Sequence, residues 1–211
     1  MEKDQQKIKN IIFDLGGVLL NIDYLKTVEA FANLGMQNPE QAFSKEMQAE
    51  FFQSFEKGLI SENVFVTEIQ KQFENVSRQK VIDAWNALLG DFPVKRFEYL
   101  QSLKPRYRLF LLSNTNIIHL KAFREIIDSS VGWTAFTDLF DGIGYSHELK
   151  MRKPDAEIFY KLMDIYNLTP EETCFIDDTE MHVIAARATG IEAIHLKDDN
   201  EIWKALAHLS E

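Results

Sequence analysis

Residues 8–13, ending in Ile11-Ile12-Phe13, form the first apolar run, of the kind a parallel sheet buries on both faces. It predicts a strand. After Leu20 the period changes from strand-like to helical and stays so to Leu89, in four stretches. Leu25, Val28, Phe31 and Ala32 mark the first. Phe43, Met47, Phe51 and Phe55 recur every four residues in the second, with Gly58 near its end. Ser61 is placed as N-cap of the third, which carries Phe65, Ile69 and Phe73. Val81, Ile82, Trp85, Leu88 and Leu89 mark the fourth, closed by Gly90.

Beyond Pro93 strands and helices alternate. A helix at 94–103 leads into a buried strand at 108–112, then a helix at 116–127 and a short strand at 141–145. Pro154 suits the first position of a helix running to Tyr166. Thr169-Pro170-Glu171-Glu172 reads as a capping box on a single turn. A strand at 173–176, a helix at 180–189 ended by Gly190, a strand at 191–196 and a terminal helix with Ile202, Leu206 and Leu209 complete the pattern. Such alternation predicts an α/β, doubly wound parallel sheet of Rossmann-like type. Residues 1–20 and 94–211 would form this core, and the helical block 21–93 an insertion in it.

Composition narrows the function. The chain has 211 residues, 45% of them hydrophobic and 16 of them Phe, enough for a substantial core. Its 33 acidic against 23 basic residues give a formal charge of −10, which disfavours a nucleic-acid or anionic-membrane surface. The lone cysteine, Cys174, sits in an apolar run and reads as a buried thiol. The polar N-terminal residues do not resemble a signal peptide, and no apolar run reaches transmembrane length, so the expected location is the cytoplasm.

The candidate chemistry lies at strand ends. The first strand ends in Asp14, followed by Leu15-Gly16-Gly17; the strand at 108–112 ends in Ser113-Asn114-Thr115-Asn116; that at 173–176 ends in Asp177-Asp178. In a parallel sheet these C-terminal ends share one edge, where doubly wound folds bind ligands. Carboxylates with a backbone carbonyl make a hard oxygen site suited to Mg²⁺. Ser113 and Asn114 can donate to phosphoryl oxygens, and Lys153 can supply a fixed positive charge. A nucleophile, a metal and donors around equatorial oxygens describe phosphoryl transfer.

Phe13-Asp14-Leu15-Gly16-Gly17-Val18, Leu112-Ser113-Asn114-Thr115-Asn116, Arg152-Lys153-Pro154 and Phe175-Ile176-Asp177-Asp178 resemble, in order, the motifs of the haloacid dehalogenase-like hydrolase superfamily with a helical cap. Within it the chain resembles bacterial sugar-phosphate phosphatases acting on glucose 1-phosphate, and the phosphatase domain of soluble epoxide hydrolases. The resemblance implies that Asp14 attacks phosphorus to give an aspartyl-phosphate, which water then hydrolyses. It further implies that Ser113, Asn114 and Lys153 hold the phosphate of a small phosphorylated metabolite. Asp14, the Gly16 carbonyl and Asp178 would hold Mg²⁺, with Asp177 ligating directly or through water.

One position departs from the commoner pattern. Most phosphatases of the superfamily carry a general acid two residues after the nucleophile, and here that residue is Gly16. A glycosyl 1-phosphate, with a fairly acidic leaving hydroxyl, would tolerate the loss. Asp23 could substitute, although its position just before a helix favours N-capping. Met181 and His182 stand where another acid often occurs, and His182 is expected on a helix surface. The competing functions are a metal-independent C–halogen hydrolase and a non-catalytic ligand-binding protein on the same fold.

Overall fold

The computed structural model describes residues 8–37, 49–197 and 201–210. Five parallel strands form one sheet in the order β3-β2-β1-β4-β5. They are β1 (Asn10–Phe13), β2 (Arg108–Ser113), β3 (Gly142–Tyr145), β4 (Thr173–Asp177) and β5 (Glu192–His195). Period-two alternation gives each inner strand two apolar faces. Ile11, Phe13, Leu109, Leu111, Cys174 and Ile176 fall in one core cluster. Ile12, Phe110, Leu112 and Phe175 fall in the other. The first cluster is covered by α5 (Val94–Leu103), α6 (Ile117–Val131), α7 (Trp133–Thr137) and α11 (Ile202–Ala205). The second is covered by α9 (Ala156–Tyr166) and α10 (Glu180–Ala188). The short α8 (Ser146–Leu149) follows β3 directly.

Between β1 and α5 the described residues include the helices α1 (Tyr24–Asn33), α2 (Ala49–Glu56), α3 (Glu62–Gln70) and α4 (Arg78–Asn86). They share a third cluster built on Phe31, Phe55, Phe65, Val66 and Val81, with Ile118 of α6 in it as well. The chain enters and leaves this block through two antiparallel segments. Asn21 N donates to Asp91 O at 3.0 Å, Gly90 N to Asn21 O at 2.7 Å, and Asp23 N to Leu88 O at 2.8 Å.

Local differences from the sequence reading have local causes. Phe43 and Met47 lie outside the described residues. Phe31 of the expected stripe is buried, but Leu25 and Ala32 are exposed and Thr27 is buried, because α1 turns that face to α4. Thr27 Oγ1 there accepts from Leu88 N at 3.1 Å. The fourth helix stops at Asn86, so that 88–90 can pair with the entering segment. Pro154 precedes the N-cap of α9, Asp155, rather than opening the helix, and the Lys153–Pro154 bond is cis. Thr169 makes no side-chain cap; its carbonyl accepts from Thr173 Oγ1 at 2.7 Å. Residues 202–210 form a short α-helix and a 3₁₀ turn in place of one helix.

Candidate active site

Because β1, β2 and β4 are adjacent and parallel, their C-terminal ends bring Asp14, Ser113 and Asp177-Asp178 together. Lys153 reaches this point from the loop before α9 and is wholly buried. Its ammonium has three hydrogens and three acceptors: Leu112 O at 3.0 Å, Asp177 Oδ2 at 2.6 Å and Asp14 Oδ1 at 2.9 Å. Burial favours the neutral amine, but Asp14 and Asp177 outweigh it and hold the lysine above its usual pKa.

Asn114 secures the backbone of that lysine. Its Oδ1 accepts from Lys153 N at 2.8 Å and its Nδ2 donates to Lys153 O at 2.8 Å. One of the two amide hydrogens of Asn114 is therefore engaged in placing Lys153. Ser113, buried at the tip of β2, faces the cleft. Asn116 is the N-cap of α6, its Oδ1 accepting from Ile118 N and His119 N.

Asp177 is also committed. Its oxygens accept from Lys153, from Thr179 N at 2.7 Å and from His182 Nδ1 at 3.1 Å to each oxygen. Burial works against its charge, yet Lys153 and His182 prevail and hold its carboxyl far below the ordinary range. These three donors occupy both oxygens of the carboxylate, the His182 N–H lying 3.1 Å from each. His182 is thus a partly buried partner of Asp177 and not the free helix-surface residue expected. Its i+5 spacing from Asp177, across the first turn of α10, was the available signal.

Asp14 differs. Its Oδ1 accepts both Lys153 and Leu15 N, the latter at 2.7 Å. Burial raises its pKa well above the usual value; Lys153 opposes this, and Asp177 and Asp178 add to it. Burial and Asp177 likewise raise Asp178. Gly17 explains how Asp178 comes so close. It has φ +74°, and a Cβ there would lie 2.1 Å from Asp178 Oδ2, so only glycine lets the β1 and β4 loops meet.

Three carboxylates against one lysine leave the site short of positive charge. Asp14, Asp177 and His182 offer ligand atoms within 4.8 Å of one another. The cleft-lining Asp14, Gly16 and Asp178 add carboxylate and carbonyl oxygens of the kind a hard divalent cation takes.

A cleft of about 1030 Å³ opens over these residues, walled by both the core and the helical block. The block supplies Tyr24 and Thr27 from α1, Phe52, Gln53 and Glu56 from α2, and Trp85 from α4. Arg152, beside Lys153, pairs through Nε with Glu56 Oε2 at 2.8 Å. Asp23 is exposed, does not line the cleft, and caps α1 by accepting from Leu25 N at 3.0 Å. Tyr24 and Glu56 carry no sequence signal that marks them as cleft residues, and Arg152 is marked only as part of the Arg152-Lys153-Pro154 stretch; the packing of the block on the core brings all three to the cleft.

Comparison with known proteins places the chain by family and fold. A family model described as haloacid dehalogenase-like hydrolase matches residues 8–190. The D-ribitol-5-phosphate phosphatase of Bacteroides thetaiotaomicron is 30% identical over 186 residues, spanning 88% of this chain and 90% of its own length. A HAD family enzyme of the same organism, solved with magnesium and inorganic phosphate, superposes with a TM-score of 0.84 at 35% identity, over 92% of this chain and 96% of that one. The L-2-haloacid dehalogenase of Xanthobacter autotrophicus shares the fold, with a TM-score of 0.61 at 18% identity over 95% of this chain and 81% of its own. The chain belongs to the haloacid dehalogenase-like hydrolase family.

Proposed function

We propose that this protein hydrolyses small phosphomonoesters, of the sugar or polyol phosphate class, through an aspartyl-phosphate on Asp14 with Mg²⁺ as cofactor. The observation that carries this reading is the charge arrangement. A buried nucleophile-grade carboxylate, fixed on one oxygen by Leu15 N and Lys153, faces a cleft whose acids exceed its cations. A dianionic phosphate could not enter such a site without a bound cation. The relative named for ribitol 5-phosphate and the structural neighbour holding magnesium and phosphate support it.

Asp14 attacks phosphorus in line with the leaving oxygen, and water from the cleft then cleaves the acyl phosphate. Lys153 holds Asp14 in place and offsets charge as the phosphoryl oxygens become more negative. Ser113 donates its hydroxyl to one of those oxygens. Asn114 acts by placing Lys153, and Asp177 by holding Lys153 and His182 in position. Mg²⁺, held by Asp14, Asp178 and the Gly16 carbonyl, would neutralise the incoming phosphate and act as a Lewis acid on it. The helical block 21–93 serves as a cap that selects the alcohol portion of the substrate and limits water.

A phosphate-release screen over sugar and polyol phosphates, with Mg²⁺ and with EDTA, tests the proposal. Turnover is expected only with Mg²⁺, and Asp14→Asn should lose at least about 10³-fold, the scale of removing an essential nucleophile. Activity persisting in Asp14→Asn, or undiminished by EDTA, refutes it.

A further inference from the structure

The reaction just described leaves one proton unassigned. When the P–O bond breaks, a sugar or polyol leaves as an alkoxide unless a donor reaches its oxygen. Gly16 cannot serve, and its surroundings show why an acid is not simply missing there. A Cβ at Gly16 would lie 3.2 Å from Ile22 Cδ1 and 3.6 Å from Ile22 Cγ2. The isoleucine thus occupies the space into which a side chain at position 16 would grow.

Ile22 belongs to the segment that climbs from the core into the helical block, and it pairs with Leu89. Two residues on, at the first position of α1, stands Tyr24. Ile22 and Tyr24 both line the cleft that contains Asp14, Ser113 and Asp178. Tyr24 is 68% exposed, so this cleft-lining phenol is open to a molecule that enters the cleft. Asp23, the acid beside it, is turned away and capping the helix.

We propose that the Tyr24 hydroxyl donates the proton to the leaving-group oxygen, the task for which position 16 carries no side chain. As the Asp14–phosphorus bond forms, the bond from phosphorus to the ester oxygen breaks. Both its electrons go to that oxygen, which takes the Tyr24 proton and departs as a neutral alcohol. The tyrosinate left behind recovers a proton from cleft water. Surrounding protein and the carboxylates Asp178, Asp14 and Glu56 keep the phenol pKa raised, so the donor form is present across the neutral range. An alkoxide is a stronger base than a phenolate, so the transfer proceeds only as the leaving oxygen acquires its charge.

This assignment rests on the phosphatase reading above, and leaving-group dependence separates the two. Wild type and Tyr24→Phe would be compared, with Mg²⁺, on D-ribitol 5-phosphate and on aryl phosphates bearing p-nitro, unsubstituted and p-methoxy phenols. p-Nitrophenolate needs no proton to leave, so Tyr24→Phe should retain its kcat/KM within about 3-fold. The other two phenolates are also weaker bases than the Tyr24 tyrosinate, so their esters should be little affected, and the loss should fall on D-ribitol 5-phosphate, reaching about 10²-fold, the lower end of general-acid contributions. The p-nitrophenyl rate on the same sample serves as the control for folding. Equal losses on all esters, or none, overturn the assignment while leaving the phosphatase reading intact. A wild type inactive on every ester overturns both.

Discussion

Replacing Lys153 with methionine is the most demanding test of how this site is held together. The side chain is similar in length but carries no charge, so packing is largely kept. What disappears is an ammonium, wholly buried, whose three hydrogens go to Leu112 O, Asp177 and Asp14. Two buried carboxylates would then face each other and Asp178 with no fixed cation. Breaking a buried pair by removing one partner costs about 3–5 kcal/mol. For a chain of this size that corresponds to a fall in Tm on the order of 10 °C.

The loss should depend on pH, with a definite sign. In the wild type the Asp177 pKa is depressed, so its contribution is present above the unfolded carboxylate value and disappears as pH falls through the folded one. Lys153 is raised, so its contribution is complete below the unfolded lysine value and lost only in strong alkali. Without Lys153, both carboxyls should titrate upward, and the variant should gain stability relative to wild type as pH falls towards 5. Urea unfolding of wild type and Lys153→Met at pH 7.5 and pH 5, without metal, measures this. Adding Asp177→Asn to Lys153→Met should recover part of the loss, since it removes one of the stranded charges. A difference under about 1 kcal/mol at pH 7.5, or one unchanged at pH 5, refutes the account of Lys153 as the hub.

Two further expectations concern the junction of block and core. Gly58 has φ +60°, and a Cβ there would lie 2.3 Å from His147 O and 2.7 Å from Lys150 Nζ. Gly58→Ala should therefore destabilise by more than about 1 kcal/mol in urea unfolding, and an unchanged midpoint would show that the contact is not held. His119 is half-buried between block and core, stacked on Trp85 with Nε2 3.0 Å from Trp85 O, and desolvation lowers its pKa from 6.5 to about 4. A depressed histidine binds its proton more readily when unfolded, so stability should fall as pH drops from about 6.5 to about 4, by on the order of 3 kcal/mol from this residue. The His119 imidazole resonance should stay at its neutral position down to about pH 5; titration near 6.5 would contradict this placement.

Much of the architecture could be read from the chain because it is recorded in periodicity. The apolar runs ending at Phe13, Leu112 and Ile176 need two buried faces, and only a parallel sheet covered on both sides provides them. The four helices of the block follow from recurrence every three or four residues, although the rotation of α1, with Thr27 inward and Leu25 outward, depends on what α4 offers it. Boundaries failed where a long-range bond competed with a local one. The fourth helix ends early because 88–90 pair with 21–23, and sequence has no term for a partner 60 or more residues away.

The site divides along the same line. The sequence by itself determined the chemical inventory: Asp14, Ser113 and Asp177-Asp178 stand at strand tips because each strand must end where its apolar run ends. Only the tertiary structure decided how those groups divide the work. Lys153 is a buried hub and not a solvated charge, Asn114 and Asp177 are its supports, and His182 is drawn in to Asp177. Charge and hydrogen-bond saturation depend on distances between residues far apart in the chain. Gly16 shows this most clearly. In the sequence it is an absent acid; in the fold its space belongs to Ile22, and the nearest cleft-lining hydroxyl along that segment is Tyr24.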